Sequence, residues 1–192
     1  MGGMNGDGVT GIVLAGGQGR RMGGVDKGLA LLRGQPMVAE VLARLAPQVS
    51  EIVINANQNL DAYARFGHQV VPDAIGGFAG PLAGLHAGLG AAKHALAVTV
   101  PCDSPFLPAD LVARLRNALL DNDLAVAKTG NQAHPVFALV RTQVRKNLEA
   151  YLAGGGRKID AWYASLKTVE VQFDDEADAF RNINTRAELE GA

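Results

Sequence analysis

Thr10-Gly11-Ile12-Val13-Leu14-Ala15 runs directly into Gly16-Gly17-Gln18-Gly19-Arg20-Arg21-Met22-Gly23-Gly24-Val25-Asp26-Lys27. The first six residues form a short apolar run rich in β-branched side chains, and it stops abruptly at the glycine pair. That reads as a buried strand feeding a loop. Five glycines in the loop let main-chain N–H groups approach an anion without a Cβ in the way. Arg20, Arg21 and Lys27 add positive charge to the same stretch. A loop at the carboxyl end of a parallel strand is where open α/β sheets bind ligands. The plainer reading is a flexible turn with incidental basic residues.

Two phosphate motifs are excluded. Lys27 is followed by Gly28, so there is no G-x-x-x-x-G-K-[ST] loop. Met22 stands where a dinucleotide fingerprint needs its third glycine.

Working outward, the chain alternates. Pro36 to Leu45 has apolar residues at helix spacing, with Pro36 where a first turn tolerates it. Glu51 to Ala56 reads as a strand, Asn59 to Phe66 as a helix and Gln69 to Val71 as a short strand. Leu82 to Lys93 reads as a helix, Ala95 to Val100 as a strand stopped by Pro101, and Pro108 to Leu120 as a helix. This succession argues for βαβ units and a mostly parallel sheet. The expected fold is α/β: a Rossmann-like three-layer α/β/α single domain over residues 9–192, after a lead-in over 1–8. The last third is less regular. Strands are expected at Leu124 to Ala127, Val136 to Val140 and Thr168 to Phe173. Helices are expected at Thr142 to Leu152 and Ile159 to Ala164.

Bulk properties narrow the function. The chain has 192 residues, 48% hydrophobic and 19% charged, with a net charge of −1. Near-neutral charge gives no footprint for nucleic acid and no polybasic membrane signal. Any phosphate site must therefore be local. Cys102 is the only cysteine, so no intrachain disulfide and no cysteine-rich zinc site can form. Met1 to Gly8 lacks the basic and apolar regions of a signal peptide, and no apolar run is long enough to span a bilayer. A cytoplasmic, soluble protein is expected.

Pro101-Cys102-Asp103-Ser104-Pro105 follows a main strand, so Asp103 sits at a strand's carboxyl end. A hard oxygen ligand there suits Mg²⁺, which takes one or two carboxylates plus substrate phosphates. The alternative is an Asp capping the helix near Pro108, for which Ser104 is the closer candidate. Taken alone, Asn55 and Asp73 read as turn caps. His68, His86 and His94 lack metal spacing, and Trp162 and Tyr163 read as core.

The pattern L-A-G-G at 14–17, R-M-G at 21–23 and D-K at 26–27 resembles the nucleotidyltransferases of the molybdenum cofactor guanylyltransferase (MobA) type. Pro101-Cys102-Asp103 resembles that family's magnesium segment, Gly80-Pro81-Leu82-Ala83-Gly84 its G-P-L-A-G segment, His134-Pro135 its histidine-proline pair, and Asn182-Ile183-Asn184-Thr185 its late N-x-N-T segment. The resemblance spans Gly11 to about Leu189. It implies a fold of nucleotidyltransferase type and GMP transfer from GTP to molybdenum-molybdopterin. It implies that Leu14, Ala15, Gly16, Gly17, Asn55 and Asp73 hold GTP. Arg21 and Lys27 would offset phosphate charge, and Asp103 would hold Mg²⁺ against the triphosphate. His134 and Asn182 to Thr185 would face the pterin, with no catalytic role for His134. A cofactor-delivering or molybdoenzyme-maturation protein is an implied partner. The rivals are a cytidylyltransferase for the same pterin, a sugar-1-phosphate nucleotidyltransferase, and a nucleotide-binding accessory protein without turnover. The L-A-G-G loop favours guanine, and the chain lacks the added C-terminal region of sugar enzymes.

Overall fold

The computed structural model describes residues 8–17, 26–76, 80–184 and 188–189. Most of the lead-in, Arg20 and Arg21 lie outside the described residues. The strand expected at the start is β1 (Val9–Leu14), buried on both faces. Its side chains alternate: Val9 and Val13 join one apolar cluster, Ile12 the other, as a strand's period of two requires.

The chain then forms a small hairpin, β2 (Leu31–Leu32) with β3 (Gln35–Pro36), which the sequence did not announce. Its turn residues Arg33 and Gly34 both have positive φ, 52° and 83°. Arginine is an uncommon occupant of that region, so the usual Asn-Gly signal for such turns is missing. Helix α1 (Met37–Leu45) buries Met37, Val38, Val41, Leu42 and Leu45, the apolar stripe read from the sequence. Next come β4 (Glu51–Asn55), α2 (Leu60–Ala64), β5 (Gln69–Val71), α3 (Pro81–Ala91) and β6 (Leu96–Pro101). Then follow α4 (Leu111–Leu119), β7 (Leu124–Thr129), β8 (Gln132–Arg141), α5 (Arg145–Ala153), α6 (Ile159–Tyr163) and β9 (Thr168–Gln172). Helix α4 starts three residues later than Pro108, with Asp110 before it. Neither Asp103 nor Ser104 caps it. Residues 174–180 form 3₁₀ turns not read in the sequence.

The seven main strands lie in the order β5-β4-β1-β6-β8-β7-β9. All run parallel except β8, which is antiparallel to both neighbours. Strands β7 and β8 pair antiparallel, and the register shifts between Val126 and Ala127. The sheet separates two apolar layers. One takes side chains from α1 and α4, the other from α3, α5 and α6. This is the three-layer α/β/α arrangement. No helix among the described residues is long and apolar enough to cross a membrane.

Strand order reverses beside β1. The chain runs outward from β1 to β4 and β5, then returns across to β6 on the other side of β1. Such a switch point opens a crevice at the carboxyl ends of the strands. Helices close tightly over β1 from both sides. A Cβ on Gly11 would lie 2.9 Å from Leu45 Cδ2 on α1, and one on Gly88 of α3 would lie 2.5 Å from Ile12 Cγ2. Gly88→Ala therefore forces α3 off the sheet. Urea unfolding should show a loss of about 1–3 kcal/mol; an unchanged midpoint would disprove the close packing.

Candidate functional site

The two segments singled out in the sequence meet at the switch point. Leu14, the last residue of β1, pairs in register with Asn55 on one side and Pro101 on the other. Beyond the strand, Ala15 N–H donates to Asn55 O at 2.8 Å and Cys102 N–H donates to Leu14 O at 3.1 Å. Gly16 and Gly17 then lift off the sheet edge, with Gly17 exposed. Asp103 follows Cys102 and is only 9% exposed.

Lys27 joins the two segments. Its Nζ lies 3.2 Å from Asp103 Oδ2 and donates at 2.6 Å to Asn184 Oδ1. Asn184 is brought there by a short zipper: Ile183 N–H donates to Asp103 O at 2.9 Å, and Ser104 Oγ donates to Asn182 Oδ1. The late asparagine segment thus lies beside Asp103. Lys27 is placed by Asp26, whose carboxylate accepts from Gly28 N–H at 3.1 Å and so starts a 3₁₀ turn over Lys27–Leu29. Such Asx capping is what Asp does best at a turn.

Asn55 and Asp73 form a second cluster under the loop. Asn55 is 2% exposed. Its Nδ2 donates to Val71 O at 3.2 Å and to Asp73 Oδ1 at 2.9 Å. Asn57 completes the arrangement: its Nδ2 donates to Asp73 Oδ2 at 2.9 Å and to Gly16 O at 3.4 Å, while its Oδ1 accepts from Asp73 N–H at 2.8 Å. Asp73 is therefore a bridge between two asparagines, not a cap of its own turn. Glycines make room for this. A Cβ on Gly16 would lie 2.9 Å from both Asn55 Oδ1 and Asn57 Nδ2, and one on Gly84 would lie 2.3 Å from Asn55 Oδ1. The G-P-L-A-G segment thus touches the site through Gly84.

His134 stands apart. It stacks on Phe180 with ring centroids 4.7 Å apart and bonds Thr129 Oγ1 through Nε2. Burial holds its ring below the usual histidine range. Trp162 and Tyr163 are buried core. Arg21 lies outside the described residues. The sequence reading passed over Asn57, Asn59 and Tyr63. Asn57 had a signal: it lies two residues beyond Asn55, on the same side of an extended chain.

The donor set suits a hard cation shared with a ligand. Asp103 supplies one carboxylate already in contact with a positive charge, the Lys27 ammonium. No group of three or more His, Cys, Asp or Glu that could hold a metal occurs among the described residues.

A mostly parallel sheet whose switch point brings Gly16, Gly17, Lys27 and Asp103 to one edge defines a doubly wound α/β protein. The MobA-like NTP transferase domain family matches residues 11–169, and the chain belongs to that family of nucleotidyltransferases. It is 51% identical over 192 residues to the molybdenum cofactor guanylyltransferase of Ralstonia nicotianae, covering 94% of each chain. It is 53% identical over 190 residues to that of Cupriavidus metallidurans, covering 95% of this chain and 93% of the relative. Among solved structures, molybdopterin-guanine dinucleotide biosynthesis protein A from Archaeoglobus fulgidus superposes with a TM-score of 0.77 at 26% identity, over 95% of both chains.

Asp73→Ala strips an acceptor from both asparagines and leaves the buried Asn55 amide one partner short. Stability should fall by about 1–2 kcal/mol, and amide hydrogen exchange at Ala15 to Gly17 should accelerate. Unchanged exchange there would show that Asn57 and Asp73 do not brace the loop.

Proposed function

We propose that this chain transfers GMP from GTP to molybdenum-molybdopterin, forming molybdopterin guanine dinucleotide and pyrophosphate. The observation that carries this is the contact between Lys27, from the loop after β1, and Asp103, at the end of β6. One bound triphosphate can reach both. The names of the relatives support guanine and the pterin over cytidine or a sugar phosphate. Enzymes of this family work with a divalent metal, and Mg²⁺ is the ion assigned here to Asp103. When bound, the ion would draw charge from the triphosphate oxygens and help align them.

The chain's own groups supply the rest. Leu14, Ala15, Gly16 and Gly17 present main chain to the nucleotide, Asn55 and Asp73 complete the GTP site, and Asn57 ties Asp73 to Gly16. Lys27 and Arg21 offset the charge that gathers on the departing pyrophosphate. An oxygen of the acceptor's terminal phosphate bonds to the α-phosphorus as the bond to the β-phosphate oxygen breaks. That nucleophile is already ionised at neutral pH, so no side chain needs to take a proton. Positioning and charge stabilisation carry the rate, as in other phosphoryl-type transfers. A cavity of about 540 Å³ is lined by Phe106, residues 174–179 and Arg181. Arg181 lies 4.4 Å over the Phe106 ring. The reaction belongs in the cytoplasm, where a protein that loads the cofactor into its target enzyme would collect the product.

Pyrophosphate release measured with GTP, CTP and UTP, each with molybdenum-molybdopterin or a sugar 1-phosphate, tests the assignment. Only the GTP and pterin pair should turn over, and turnover with another pair would replace it. Asp103→Ala should lower Mg²⁺-dependent turnover by about 10²–10³-fold with the fold intact. Full activity in that variant removes Asp103 from the reaction. Lys27→Ala should weaken triphosphate binding or turnover, and an unchanged rate removes Lys27.

A further inference from the structure

Lys27 reaches Asp103 because the turn that carries it is pinned, and the pin is built from α2. Asp26 accepts three donors. Oδ1 takes Gly28 N–H at 3.1 Å and the Tyr63 hydroxyl at 2.5 Å, and Oδ2 takes Asn59 Nδ2 at 3.0 Å. Two of the three come from one short helix and the residue before it, 33 and 37 positions along the chain. Asn59 holds a left-handed backbone, φ 52° and ψ 36°, and its side chain makes no cap for α2. That amide is turned to Asp26 instead.

Tyr63 is fully buried. As core, a phenylalanine would serve equally well, so the hydroxyl calls for its own explanation. The packing around it is specific. A Cβ on Gly28 would lie 2.5 Å from the Tyr63 oxygen and 3.3 Å from Cys102 Cβ and Sγ. The residue after Lys27 must therefore be glycine if Tyr63 is to reach Asp26. Burial, the neighbouring Cys102 thiol and the Asp26 bond push the Tyr63 hydroxyl well above its usual range, so it stays a donor across working pH. The same side of Gly28 also meets Cys102, the residue before Asp103.

We propose that Tyr63 is a positioning residue of the transfer reaction. Its hydroxyl fixes Asp26, and through Asp26 the turn that aims the Lys27 ammonium at the phosphates and at Asp103. The inference rests on the nucleotide-transfer reading above. It explains why the loop ends in Asp26-Lys27-Gly28 rather than in the Lys-Ser/Thr of a P-loop, where the next residue carries a side chain.

A double-mutant cycle tests it, because a merely structural tyrosine would weaken every background alike. Single-turnover rates and kcat/KM for GTP are measured in the wild type, Tyr63→Phe, Lys27→Ala and the double variant, with thermal unfolding as the fold control. Tyr63→Phe should lower kcat/KM about tenfold in the wild-type background and less than about twofold in Lys27→Ala. Asp26→Asn should behave as Tyr63→Phe does, and it carries the cycle alone if Tyr63→Phe does not fold. Equal losses in both backgrounds, or full activity in Tyr63→Phe, overturn the positioning role alone. Absence of GTP turnover in the wild-type protein overturns the reading on which it rests.

Discussion

An ammonium and a carboxylate 3.2 Å apart, on residues 76 positions apart in sequence, tie the chain after β1 to the turn after β6. Both are largely withdrawn from water, at 23% and 12% side-chain exposure. Each therefore needs the other, because a partly buried charge left alone is costly. The pair spans the place where the sheet reverses its order. One partner arrives on the loop leaving β1, the other on the turn leaving β6, and the sheet register fixes how far apart those departures are.

Around that pair, main chain packs against side chain more closely than most residues allow. Gly16 and Gly84 leave room for Asn55, and Gly28 leaves room for Tyr63. The glycines here are spaces, and each is filled by a polar group with a fixed partner. At Gly16 and Gly28 the conformational freedom of glycine is limited by neighbours rather than by a side chain of its own.

Much of the architecture could be read in the sequence because the parallel strands are covered on both faces. β1, β4 and β6 appear as mainly apolar runs, and their ends fall within a residue or two of expectation. The antiparallel β8 was legible only from Val136 onward. Its first residues, Gln132 to Pro135, are polar or half-exposed, and the bulge beside Val126 breaks the pairing pattern. The site divides the same way. Lys27 and Asp103 sit in motifs whose residue types match their chemistry. The bonds from Tyr63 and Asn59 to Asp26, and from Lys27 to Asn184, join residues 33 to 157 positions apart. No local pattern records a contact of that kind, and a tyrosine on a helix face looks the same whether or not its hydroxyl has a task.

The zipper between residues 103–104 and 182–184 has a bearing on how the molecule comes into being. Synthesis on the ribosome runs from the amino end, so the strands that form the crevice emerge well before the asparagine that completes it. Until Asn184 leaves the exit tunnel, the lysine at 27 lacks one of its two anchors. The second anchor of that lysine can therefore form only after residue 184 has emerged.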